Sequence, residues 1–210
     1  MFDEEYWNKI EREEKAKFFL KLAYKLRKVP RTRNLIFILL FSFVAFMWMY
    51  VFVFIANDDL LKELGAPLLF EFEFAFTYDQ ANLIISAWNA QGMLSWNILL
   101  NILDFPFIFS YVLILMSLSV FAMRQLKDKF LNIGLKLIYL PILAGLLDVI
   151  QNIFILIMLL NANALNITFP LIVSLLAIIK YALMFGTIGF LILAIIVKIL
   201  YYYQIIQEGK

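Results

Sequence analysis

Four stretches of the chain are apolar for longer than a soluble helix needs, and polar segments separate them. They run from about Asn34 to Ala56, Trp96 to Met123, Leu135 to Leu160 and Pro170 to Tyr203. Crossing a bilayer takes roughly 20 helical residues, so each stretch predicts one transmembrane helix. The fold class expected is all-α, a polytopic four-transmembrane-helix bundle over 34–203. A charged segment 1–33 precedes it, a long loop 57–95 joins the first two spans, and a tail 204–210 follows. A cleavable signal would put a shorter apolar core nearer the start, so the first span is expected to be retained as an anchor.

The polar segments carry patterns of their own. Residues 1–28 predict an amphipathic helix, with Phe18, Phe19, Leu22, Ala23 and Leu26 on one side and Lys21, Lys25 and Lys28 on the other; Pro30 ends it. Such a helix would lie at the membrane interface, its basic half toward anionic lipid. The plainer reading is that its charges only orient the chain. In the long loop Phe70-Glu71-Phe72-Glu73-Phe74-Ala75-Phe76 alternates with period two, which predicts a half-buried extended segment. Thr77 and Gln80 form a capping-box pattern before a short amphipathic helix through Ala81, Leu83, Ile84, Ala87 and Trp88, which Gly92 ends. The loop is expected to lie on the outer face as a lid, or to make an oligomer contact. Asn166-Ile167-Thr168 is a formal glycosylation sequon, and Thr168 followed by Pro170 reads as the N-cap of the fourth helix.

Three ionisable residues, Asp104, Asp148 and Lys180, each sit well inside a different apolar stretch. A charge at bilayer depth is unfavourable unless it is paired or wetted, so these residues define the candidate site. At 100° per residue Asn97, Asn101, Asp104 and Tyr111 fall within about 40° of one direction on the second span. Pro106 removes a backbone bond beside them. On the third span Asp148, Gln151 and Asn152 share a face with Pro141 and Ala144. Lys180 lies about ten residues into the fourth span, roughly 15 Å at 1.5 Å per residue, near the depth of Asp148 and Asn152. The three charges are therefore expected to meet. Two acids and one base leave a negative charge, so the site is either a register-setting ion pair, or it takes up a proton, or it binds a cation or a small cationic ligand. Ala182, Gly186 and Gly189 lie opposite Lys180 and suit close helix packing, against the first span or a neighbouring protomer.

Composition and charge sharpen this picture. With 64% apolar and 16% charged residues the chain belongs in a lipid bilayer. It has no Cys and no His, which removes disulfides, thiol and imidazole catalysis and most zinc sites. Residues 1–33 hold ten Lys/Arg, whereas the loop 57–95 has six acids and only Lys62. Both termini are thus expected on the cytoplasmic side, in the cell membrane. No phosphate-binding glycine loop, nucleophile elbow or acidic metal motif occurs, so no catalytic residue, metal or cofactor is assigned. Nothing points to nucleic acid.

Trp88 to Gly92, Leu103-Asp104 with Pro106 and Tyr111, Pro141 with Asp148 and Asn152, and Lys180 downstream resemble a group of uncharacterised four-helix bacterial integral membrane proteins. The likeness covers roughly residues 75–185. It departs at Gln151, where that pattern has an acid. The resemblance implies a recurring polar core on four helices and no activity. The function expected is that of a non-enzymatic membrane component whose polar core is structural or binds a small ligand. The alternatives are a proton- or cation-coupled transporter or channel subunit, as a homo-oligomer or in a membrane complex, and a lipid-modifying enzyme using Asp104 and Asp148.

Overall fold

The structure, a computed structural model, describes residues 18, 20–23, 25–28, 31–126 and 128–208. Among them there is no strand, and four helical rods are long and apolar enough to cross a bilayer: Thr32–Glu63, Leu94–Gln125, Phe130–Leu160 and Phe169–Tyr203. The chain is an all-α, multi-pass membrane bundle. In order, α1 (Thr32–Met49) continues through a π-helical stretch (Tyr50–Ile55) into α2 (Ala56–Glu63), followed by α3 (Leu69–Glu73), α4 (Tyr78–Ala90), α5 (Leu94–Gln125), α6 (Asp128–Leu137), α7 (Leu140–Leu160) and α8 (Phe169–Glu208).

The first rod outlasts its apolar stretch. Asp58 and Asp59 sit on its last turns rather than in a loop, because nothing breaks the helix before Gly65, which takes a positive φ of 64°. The third rod is split instead. Pro141, lacking an N–H, cannot bond the carbonyl of Leu137, so the chain turns at 138–139 and the loop expected over 124–134 is largely the helix α6. The segment Phe70–Phe76 is not extended: it forms α3, whose first N–H, that of Leu68, donates to the Glu71 carboxylate at 3.3 Å. Burial at Phe72 and Ala75, three residues apart, follows a helical period in place of the alternation. Thr77 does cap α4, accepting from the Gln80 N–H at 3.3 Å, and Gly92 ends that helix at φ 70°. Leu83, expected on its apolar face, is exposed. At the start of α8 the acceptor is the Asn166 carboxamide, which binds both the N–H and the hydroxyl of Thr168.

Helix α7 is the inner one, packing most extensively on α8 and then α5, whereas α1 rests chiefly on α5. A Cβ at Gly145 of α7 would run into Cγ2 of Val112 on α5, a methyl on a stiff, branched side chain. Gly145→Ala is therefore expected to force the helices apart at a loss of about 1–3 kcal/mol, read as a lower unfolding temperature in detergent. Two apolar cores close the bundle at its ends. At the end that carries Asp58 and Asp59, Leu61, Phe72, Trp88, Met158 and Val173 pack together. At the basic end, Ala23, Leu35, Met123, Ile138 and Phe190 do so.

Ala23 and Leu26 of the N-terminal segment join that basic-end core, while Phe18 and Leu22 are exposed. Arg124 holds the segment in place, donating to the Arg27 carbonyl at 3.0 Å and to the Thr32 hydroxyl at 3.1 Å. Residues 1–17, Phe19 and Pro30, on which the interfacial-helix expectation also draws, lie outside the described residues. The Ala182, Gly186 and Gly189 stripe is exposed; Gly186 looks toward Leu140 of α7 rather than the first rod, and a Cβ at Gly189 would meet nothing within 4 Å.

Candidate functional site

Between the two apolar cores lies a polar centre, and helical spacing puts its residues there. Asp148, two turns inside α7, and Lys180, three turns into α8, face each other across the most extensive helix pair of the bundle. Lys180 Nζ donates to Asp148 Oδ1 at 2.6 Å, and the Tyr111 hydroxyl of α5 donates to Asp148 Oδ2 at 2.8 Å. Both oxygens of Asp148 are thereby engaged, and Asp148 and Lys180 are only 5% and 3% exposed. Asp104 does not pair with Lys180. Its Oδ2 accepts from the Asn152 carboxamide, and its Oδ1 has no donor among the described residues.

The second carboxylate on Lys180 comes from the loop segment. Glu73, the last residue of α3, places Oε2 3.1 Å from Lys180 Nζ and also accepts from the Tyr181 hydroxyl at 3.3 Å. Its backbone carbonyl is held by the Ser174 hydroxyl at 3.0 Å. The segment 64–93 therefore plugs into the bundle instead of resting on it. Trp88 anchors it, donating from its indole to the Pro67 carbonyl at 2.7 Å and meeting the Phe72 ring edge-on at 5.1 Å.

These groups line one cavity of about 330 Å³, bounded by all four rods and α3. Asn101, Asp104, Tyr111, Asp148, Asn152 and Lys180 are on its wall. Gln151 is not: it is fully buried elsewhere, with both amide atoms unpartnered among the described residues. One residue is a 100° rotation, which turns Gln151 away from the wall that Asn152 joins. Asn97, on the same predicted stripe as Asn101, is likewise buried off the cavity.

The sequence pattern missed two acids, an aromatic wall and Tyr181. Glu73 and Asp58 also line the cavity, so four carboxylates face one ammonium. The cavity also has an aromatic wall, in which Phe107 of α5 stacks on Phe46 of α1 at 4.8 Å and lies 4.9 Å from Phe54 of the π-helical stretch. Beside the charges, Tyr181 carries Lys180 Nζ 5.0 Å from its ring centre. An acid flanked by phenylalanines, as Glu73 is, was the available signal for burial. Among the described residues no three acidic side chains converge closely enough to chelate a metal ion. Comparisons with protein-family models, with curated proteins and with solved structures find no match. The site is accordingly read from its own geometry.

Proposed function

We propose that this chain is a non-enzymatic membrane protein that binds a small cation in the polar cavity at the middle of its bundle. The observation that carries the reading is the imbalance of the cavity wall: Glu73, Asp104 and Asp148 share it with a single ammonium, which pairs with Glu73 and Asp148 only, and Asp104 Oδ1 has no donor among the described residues. Uncompensated negative charge in a low-dielectric site attracts a cation. The site divides its work. Asp148, Lys180, Tyr111 and Tyr181 form a closed network that holds α5, α7 and α8 in register, while Asp104 and Asn101 stay open to a ligand.

Acid/base chemistry by Asp104 and Asp148 is disfavoured on the same geometry. Asp148 would have to give up its bond from Lys180 or from Tyr111 to exchange a proton. Coupled transport has one observation in its favour, since Asp58, at the acidic end of the first rod, lines the same cavity as Lys180. A cation attracted to that end, on the outer side if the Lys/Arg bias sets both termini cytoplasmic in the cell membrane, would have a carboxylate path to Asp104. In that role the chain would act as an oligomer, and Lys21 and Lys25 would meet anionic lipid.

The test is thermal unfolding of purified protein in detergent, with sodium, magnesium, methylammonium and phenethylammonium chlorides each compared between the native chain and Asp104→Asn. At least one cation is expected to raise the native unfolding temperature saturably, by about 2.7 kcal/mol of stabilisation at a hundredfold excess over its Kd, and to leave the variant unmoved. Equal behaviour of the two proteins with every salt would reduce the centre to a scaffold. The same proteins in liposomes separate the two readings: Asp104-dependent uptake of the bound cation means transport, and binding without uptake means a binding component.

A further inference from the structure

We infer that the cation is a primary or secondary organic ammonium, with its nitrogen at Asp104 and Asn101 and its apolar body against Phe46, Phe54 and Phe107. This names the ligand class for the cation reading above and rests on it.

Among the described residues of the wall, the buried side-chain atom left without a partner is an acceptor. Asn101 Oδ1 is buried on a residue only 6% exposed and has no partner among the described residues, and Asp104 Oδ1 has none either. A buried acceptor left without a donor is unfavourable, so the complementary ligand brings N–H groups as well as positive charge. A quaternary ammonium brings the charge alone. An inorganic ion brings neither N–H groups nor a body for the aromatic wall, and the acids are too dispersed to replace its hydration shell.

The aromatic wall selects for the rest of the molecule. Phe46, Phe54 and Phe107 present contiguous aromatic surface, which suits an apolar body and attracts an ammonium at its ring faces. The cavity, about 330 Å³, is at the lower end of small-molecule sites. The protein already holds one primary ammonium by the same combination: Lys180 Nζ lies between Asp148 and Glu73 with the Tyr181 ring 5.0 Å away. Asp104, Asn101 and Phe107 offer a second such seat with no ammonium of the chain in it. The cavity reaches the surface of the bundle beside Tyr50 of the π-helical stretch and Phe70 of α3, lining residues that are 45% and 58% exposed.

The experiment is isothermal titration of the purified full chain in detergent with phenethylamine hydrochloride. Phenethyl alcohol, tetramethylammonium, methylammonium and sodium chloride are titrated alongside. Phenethylamine is expected to bind saturably at one site, with the alcohol and tetramethylammonium about tenfold weaker or worse. Asp104→Asn, which keeps an acceptor for Asn152, should weaken the amine about tenfold or more in the same micelle, and Phe107→Leu should weaken phenethylamine but not methylammonium. If Asp104→Asn does not fold by circular dichroism, Asn101→Ala stands in for it with the same expectation. Tetramethylammonium binding as well as the amine, or the alcohol doing so, would overturn the ammonium assignment. Asp104-dependent binding of sodium but not of phenethylamine would overturn it while leaving the cation reading intact. No binding of any probe to folded native protein would remove both.

Discussion

Lys180→Met is expected to destabilise the bundle by about 3–5 kcal/mol, the loss that follows when one partner of a buried ion pair is removed and the other stays behind. Methionine keeps most of the apolar stem, so packing changes little. What disappears is the ammonium that Asp148 Oδ1 meets at 2.6 Å and Glu73 Oε2 at 3.1 Å, on a side chain 4% exposed. The pattern of rescue is the sharper part of the prediction. Lys180→Met with Asp148→Asn removes one stranded carboxylate and leaves Glu73, so recovery should be partial; adding Glu73→Gln should restore most of the unfolding temperature in detergent. Full recovery in the double variant would show that Glu73 does not share the ammonium. A triple variant as unstable as the single one would locate the loss in the lysine stem.

How far this site could be read in advance depends on the range of the contacts that build it. The four rods follow from apolar runs alone, and Asp104, Asp148, Asn152 and Lys180 come together because regular helices project residues predictably over a few turns. Tyr111 reaching Asp148 is the same arithmetic applied to two helices. Glu73 escaped it because its position depends on Trp88 binding Pro67, a contact 21 residues apart in a segment whose period-two alternation pointed to extended chain. The π-helical stretch at Tyr50–Ile55 is marked by no glycine or proline, yet it carries Tyr50 and Phe54 onto the cavity wall; such stretches recur at functional sites. Gln151 shows the reverse failure: a polar residue on a predicted polar face that packing turns away from the cavity.

Trp88→Ala is expected to lower stability by about 3–5 kcal/mol, the range for emptying a large aromatic site in a core, and at the same time to weaken cation binding. Trp88 is fully buried, and the ring it packs against, Phe72, is the residue next to Glu73. Removing the indole leaves α3 with the Ser174 and Tyr181 hydroxyl bonds and the Lys180 ion pair as its polar ties to α8 near Glu73. The carboxylate should then sample positions away from Lys180, and the mouth beside Phe70 should widen. Trp88→Phe separates the two parts of the anchor, since it retains a ring against Phe72 and gives up only the 2.7 Å bond to Pro67, a loss of about 0.5–1.5 kcal/mol. Unfolding temperature and phenethylamine affinity are measured together on both variants. If affinity falls with Trp88→Ala and survives Trp88→Phe, ring packing between Trp88 and Phe72 positions Glu73 over the bundle. If it survives both while stability falls, the plug is a structural cap and the binding site is built by the four rods without it.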